Sequence, residues 1–368
     1  MADKTKLSDS VTQTKCLEEE DGVPDLSTET VRPLVVRCGA LGDMVLLSPL
    51  LRLLAARYGS PVDLISSGAW TVPLLASEPS LGHMQVLRSR KTPYLLCPSQ
   101  WQLVRWLRNR RRGPVYLCDV TLETRRLLER GGVLQEDLVD YSDENRSEPM
   151  LWPDRWMIFG QRNPARNYPV REVDPALFRL PRLVVSEAAR EDFKNWRAEM
   201  GLKGALVLFQ PGNKRTHKRG KLMTADHPKH WDPEHWAKVG RAVLEELPGD
   251  AHLLLCGSPR EYPLLEDIRN ALGGTKQALN VARDLPIPRL LALLEQAHSM
   301  VSVDTGPAHA AAALGCPLVV LFGNVSISSW HPLGPGAIEV LGGQRGEKSR
   351  VSDIPPDAVI DAWRRLHD

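Results

Sequence analysis

The chain has 368 residues, 42% of them hydrophobic and 25% charged, with a formal net charge of +2. That balance fits a globular protein long enough for two ordinary domains, each with its own core. A nucleic-acid binder would want a stronger positive excess, and no run of eighteen apolar residues is present to cross a membrane.

Residues 1–30 are polar, with an acidic run at Glu18, Glu19, Glu20 and Asp21 and no helical or strand period. They are expected to form a mobile extension. The absence of an apolar leader segment there predicts a cytoplasmic location, either free or peripheral on the inner face of the membrane. Order is expected from Leu34–Cys38, a short apolar run that ends in glycine. The loop Gly39-Ala40-Leu41-Gly42-Asp43 and a helix-spaced stretch from Val45 to Tyr58 follow, and then a strand at Val62–Ile65. Such a strand–glycine loop–helix–strand unit builds parallel α/β sheets. Val115–Asp119 reads as a later strand of the same sheet. Ser186–Lys203, charged and helix-like, is the expected link to a second α/β series. That series has strands at Ala205–Phe209, Ala251–Cys256, Met300–Val303 and Leu318–Phe322. Asp232-Pro233 marks a capped helix start between the first two of these. Two Rossmann-like halves with ligands at the carboxyl ends of their strands is the expected architecture. The six cysteines contain no CxxC pair, so buried free thiols are expected.

Four segments carry groups suited to chemistry. In Gly39–Asp43 the two glycines let backbone N–H groups approach an anion at a helix start, while Asp43 reads either as an N-cap or as a working carboxylate. The loop lacks the dinucleotide fingerprint, which argues against a nicotinamide enzyme. In Asp304-Thr305-Gly306-Pro307-Ala308-His309 a hydroxyl and amide donors at a helix start suit a diphosphate; an empty, well-capped helix is the alternative. The segment from Gly212 to Lys229, with Lys214, Arg215, His217, Lys218, Arg219 and Lys221, is either a solvated loop or a phosphate contact. Arg105, Arg108, Arg110, Arg111 and Arg112, with Trp101 and Trp106, form a solvated helix face, or a patch for an acidic acceptor or an anionic membrane. No D-x-D triad for a metal–diphosphate pair is present, and His227 and His230 lack a third ligand, so no metal is expected.

Taken together, V-V-R-C-G-A-L-G-D-M-V-L-L-S-P-L-L, P-G-N through K-H-W, V-D-T-G-P-A-H-A-A-A-A-L-G-C-P-L-V-V-L-F-G and W-H-P-L-G-P resemble glycosyltransferase family 9, the ADP-heptose:lipopolysaccharide heptosyltransferases. The resemblance implies an α/β GT-B fold: an acceptor-binding half at 31–185, a nucleotide-sugar-binding half at 186–350, and a C-terminal helix at 351–368 returning to the N-terminal half. It implies an inverting, metal-independent transfer of heptose from ADP-heptose to a lipopolysaccharide inner-core or related acidic saccharide acceptor, free or as a glycolipid, with no cofactor beyond the donor. Asp43 matches the family's catalytic base and Lys229 a lysine on the donor phosphates. Asp304, Thr305 and Gly306, with Pro307 and His309, match the diphosphate turn, and Glu261 a ribose-binding glutamate. Gly39, Gly42 and Gly212 line the donor loops, and Arg105, Arg108, Arg125 and Arg126 fall on the acceptor side. The family's D-x-Q-G-x-x-R-S-like segment appears as Asp119-Val120-Thr121-Leu122-Glu123-Thr124-Arg125-Arg126, which leaves a non-standard acceptor open. A UDP- or dTDP-hexose donor, a GT-B-like nucleotide-sugar epimerase and a non-catalytic nucleotide-sugar-binding protein are the alternatives.

Overall fold

The computed structural model describes residues 31–119, 121–143, 148–213, 217–218, 221–222, 227–344 and 348–367. The expected N-terminal extension and Lys214, Arg215 and Arg219 of the basic loop lie outside the described residues.

The first sheet is parallel and carries the strands β1 (Leu34–Val36), β2 (Val62–Ser67), β3 (Leu81–Leu87), β4 (Val115–Leu117) and β5 (Leu138–Asp140). Their order is β3-β2-β1-β4-β5, so the chain reverses direction across the sheet at β1 and β4. The helices are α1 (Leu41–Tyr58), the short α2 (Thr71–Leu75), α3 (Pro98–Asn109), α4 (Leu122–Arg130) and α5 (Trp152–Phe159). A longer helix, α6 (Glu187–Glu199), follows, capped by Ser186 Oγ accepting from Ala189 N at 3.1 Å.

The second sheet holds β6 (Leu206–Gln210), then, after a small separate hairpin β7 (His217–Lys218) and β8 (Lys221–Leu222), the strands β9 (His252–Leu255), β10 (Ala278–Asn280), β11 (Ser299–Val303), β12 (Leu318–Phe322) and β13 (Ile338–Gly342). All six strands are parallel in the order β10-β9-β6-β11-β12-β13, with the reversal at β6 and β11. Its helices are α7 (Pro233–Glu246), α8 (Tyr262–Ala271), α9 (Ile287–Gln296), α10 (Gly306–Leu314), α11 (Ile327–Trp330) and α12 (Pro356–Arg365).

Each sheet has an apolar layer of its own on one face. For the first it is Leu34, Val36, Leu103, Leu107 and Leu127 under α3 and α4; for the second it is Phe209, Trp236, Leu253, Val301 and Val359 under α7, α8 and α12. A third layer is continuous between the sheets, from Val35 and Tyr116 through Leu47 and Leu51 of α1 to Ala308, Ala311 and Ala312 of α10 and on to Leu208 and Val320. This explains why α1 is apolar on every side: it is covered all round rather than half-solvated. Alanines along α10 let the two helices approach closely.

The C-terminal helix is a correction to the sequence expectation. α12 does not return to the first half but buries Val359, Ile360, Ala362 and Trp363 against the second sheet. Trp363 Nε1 donates to Ser299 Oγ at 2.8 Å, and Trp231 Nε1 donates to Ile354 O at 3.0 Å just before the helix. An amphipathic stripe that finds a bare face of its own sheet has no reason to cross to the other.

Candidate active site

Asp43 stands in the first turn of α1, and its two carboxylate oxygens have separate duties. Oδ2 accepts from Ala40 N at 2.7 Å, the acidic half of a capping box. Oδ1 accepts from Arg37 Nη2 at 2.6 Å. Arg37 leaves β1 at its carboxyl end, donates through Nη1 to Cys118 O at 2.9 Å, and lies 5.4 and 5.6 Å from the ring centroids of Trp152 and Trp156. The carboxylate keeps 19% of its side-chain surface open, enough to meet a substrate proton. Gly39 is required here: a Cβ on it would sit 2.4 Å from Asp43 Cβ. Both readings of Asp43, cap and available carboxylate, are therefore compatible in one geometry.

Across from it, the turn after β11 presents Asp304, Thr305 and Gly306. Lys229 Nζ donates to Asp304 O at 2.6 Å and to Asp304 Oδ2 at 2.5 Å, with 17% and 8% of the two side chains exposed. Its own turn is pinned by Val351 N donating to Pro228 O at 2.8 Å. Among the described residues the Thr305 side chain makes no capping hydrogen bond at the start of α10, and Pro307 is the second residue of the helix. His309 is buried, with Nε2 3.7 Å from Asp304 Oδ1 and its ring 6.2 Å from that of Trp330. Burial first of all lowers its pKa, opposed by Asp304 and Asp43 and assisted by Lys229 and His331. The His309 imidazole is thus enclosed behind the turn and held neutral by burial.

The two glycine motifs meet. A Cβ on Gly42 would lie 2.9 Å from His309 Cδ2, and one on Gly306 would lie 3.0 Å from Gly42 N and 2.9 Å from Leu41 Cβ. The N-termini of α1 and α10 thus come together with no space for a methyl group. Each carries partial positive charge on its free amides, so an anion bound at the junction is attracted by both.

Beyond β9, Glu261 immediately precedes α8, with Oε2 accepting from Ser258 N at 2.7 Å. Its Oε1 lies 2.0 Å from where a Cβ on Gly212 would be, so that glycine makes room for the carboxylate. Gln210 Nε2 donates to Gly212 O at 3.1 Å and fixes the loop after β6.

The four arginines expected on the acceptor side are placed differently from one another. Arg105 and Arg108 are on the outward face of α3, and Arg108 Nε donates to Arg130 O at 3.1 Å, at the far end of α4. Arg125 pairs with Asp140 at the end of β5, and Arg126 is exposed. Among the described residues none of the four hydrogen-bonds to Arg37, Asp43 or Asp119. Asp119, the acid after β4, is instead held by Arg90 and accepts from Thr124 Oγ1 at 3.1 Å. Burial, with Asp119 second, pushes the nearby Cys38 thiol up to about 12, so no thiolate nucleophile is available there at neutral pH. Sequence reasoning did not single out Arg37, Arg90 or Trp152. Arg37 had one signal, a cation at a strand end just before a glycine loop. Among the described residues, no group of three or more His, Cys, Asp and Glu is arranged to hold a metal ion.

Comparison with known proteins agrees with this layout. Residues 202–354 match the profile of glycosyltransferase family 9 (heptosyltransferase). Lipopolysaccharide heptosyltransferase 2 of Salmonella typhimurium is 25% identical, over 90% of this chain and 97% of that protein. The structure of the E. coli ADP-heptose lps heptosyltransferase II superimposes with a TM-score of 0.69 at 22% identity, covering 91% of this chain and 98% of that one. E. coli heptosyltransferase WaaC with ADP gives 0.60 at 16% identity, covering 91% and 99%. The fold is therefore the two-sheet GT-B fold of these enzymes.

Proposed function

We propose that this chain is a member of glycosyltransferase family 9 and moves a heptose from ADP-heptose to a lipopolysaccharide inner-core or related acidic saccharide acceptor. One observation carries the reading. A partly open carboxylate, Asp43, faces a lysine-braced turn, Lys229 with Asp304–Gly306, across two abutting helix N-termini.

Those groups suit a single displacement. Asp43 takes the proton of the acceptor hydroxyl while its oxygen forms a bond to the anomeric carbon. The bond from that carbon to the β-phosphate oxygen breaks, and the electron pair leaves with the nucleoside diphosphate. The growing negative charge falls where Lys229, the Thr305 hydroxyl and the amides of the two helix starts lie. With those positive groups in place the reading needs no metal, and one displacement inverts the anomeric centre. The reading puts the reaction in the cytoplasm, where ADP-heptose would be available.

Turnover of Asp43→Asn with ADP-heptose and a lipopolysaccharide core acceptor tests the assignment. We expect a fall of roughly 10²–10⁴-fold with donor affinity within about twofold of wild type. A variant retaining half the wild-type rate would remove Asp43 as the base. A thermal-shift comparison of ADP, UDP, GDP and dTDP tests the donor. Stabilisation by ADP alone supports it, and a preference for another nucleotide overturns heptose as the sugar.

A further inference from the structure

Between Glu78 and Asp119 the chain has no acidic residue, yet it carries Arg88, Arg90, Lys91, Arg105, Arg108, Arg110, Arg111 and Arg112. Folding divides these cations into two sets. Arg110 is bound to Asp63, and Arg112 to Asp137 and Glu136, at the amino ends of the strands; Arg90 is bound to Asp119. Arg88, Lys91 and Arg105 are exposed and have no ion pair among the described residues, and the same holds for Arg126 on α4.

The unpaired set flanks, along α3, α4 and the chain leading to them, apolar groups that a protein in water would normally cover. Leu95 and Leu96, on the 3-10 turn Tyr94–Leu96, are 77% and 73% exposed; Leu122 is 56% and Trp101 45% exposed. They share one neighbourhood. Trp101 Nε1 donates to Tyr94 O at 2.6 Å, Arg105 is one helical turn beyond Trp101, and Arg90 Nη1 donates to Thr121 Oγ1, beside Leu122, at 3.3 Å. Single exposed leucines are ordinary, whereas a protruding Leu95–Leu96 pair in a stretch with several free cations and no carboxylate is not; on the neighbouring first turn of α4 the one acid is the exposed Glu123.

We propose that this edge, made by the 94–96 turn and the first turns of α3 and α4, docks on an anionic lipid bilayer. The leucines enter the headgroup boundary, Trp101 sits at that level with a polar and an apolar end, and the free arginines and lysine meet lipid phosphates. Four exposed cations without an ion pair among the described residues, Arg88, Lys91, Arg105 and Arg126, against one exposed acid, Glu123, favour an anionic bilayer over a protein groove of mixed charge. The turn follows the carboxyl end of β3, the same edge from which the Asp43 loop leaves β1, so docking presents the crevice to the membrane surface.

Flotation of the full chain with saccharide-free vesicles tests this without invoking the transfer reaction, so its failure would leave the assignment of the crevice standing. The vesicles are phosphatidylcholine alone, or with roughly a third phosphatidylglycerol, at low and high salt. Wild type is expected to float with the anionic vesicles only, and less at high salt. Leu95→Ser/Leu96→Ser and Arg88→Glu/Lys91→Glu are each expected to lose about tenfold or more of that binding with melting temperature unchanged. Equal binding to both vesicle types overturns the proposal, as does full retention by either double variant. Light scattering supplies the remaining outcome: if the serine pair dissolves a dimer and leaves vesicle binding intact, the occupant is a second copy and the bilayer is excluded.

Discussion

At the scale of single residues, the site rests on two ion pairs that do different jobs. Arg37 fixes where the Asp43 carboxylate points, whereas Lys229 offsets the charge of a nearly buried carboxylate and braces its backbone carbonyl. Removing the lysine leaves Asp304 with no cation in hydrogen-bond reach among the described residues. Lys229→Met should therefore cost about 3 kcal/mol of stability and weaken donor binding together. Lys229→Met/Asp304→Asn should recover much of the stability but none of the donor affinity; urea unfolding and ADP titration separate the two effects. Gly39→Ala makes a cleaner probe of Asp43, because it deletes no functional group. Its methyl would need the space of Asp43 Cβ, so turnover should fall well below wild type while ADP binding stays close to normal. Unaltered turnover would mean that the carboxylate's position is unimportant. Neither ion pair could be read from the chain: Lys229 and Asp304 are 75 positions apart, and only the closure of β6 beside β11 makes them neighbours.

At the scale of elements, legibility follows burial. The strands β1, β2, β4, β6, β9, β11 and β12 stand out in the sequence as apolar runs, and every one lies inside a sheet. Apart from the small β7–β8 hairpin, the four that do not, β3, β5, β10 and β13, are the edges of the two large sheets. An edge strand has one free side and needs no continuous apolar run, so Leu81–Leu87 carries a glycine, a histidine and a glutamine. α12 shows the same limit from another side: its apolar stripe announces a packed helix, but a stripe does not say which sheet receives it. Within α1 a local rule is broken and repaired. Pro49 cannot donate to Val45 O, and Ser48 Oγ does so instead at 2.8 Å, while accepting from Arg182 N at 3.1 Å. Ser48→Ala would strip two backbone groups of a partner, the buried Val45 O and the part-buried Arg182 N, and should cost about 1–3 kcal/mol, measured by denaturant unfolding. A change within a few tenths of that unit would mean water or a shifted carbonyl replaces the hydroxyl.

At the scale of the whole molecule, pH should act on stability through histidines. Burial holds His252, His298 and His309 below the ordinary histidine range. The unfolded chain then binds protons that the folded one refuses, so stability is full above neutral pH and falls as pH drops below about 6.5. Carboxylates held low by arginines, such as Asp192 with Arg289, add a second loss in more acidic solution. His252→Gln should flatten the first decline, read from melting temperature between neutral and mildly acidic buffers. A decline of unchanged slope would show that the ring is protonated in the folded state. The contact of Gly42 with Gly306 has a bearing on anyone recombining this enzyme with its relatives. A chimera joined near residue 186 inherits its two glycine loops from different parents, and each must supply a backbone bare of side chain at the same point. The seam that matters is thus not where the chains are spliced but where the two helix starts touch, and hybrids should be chosen by matching that pair first.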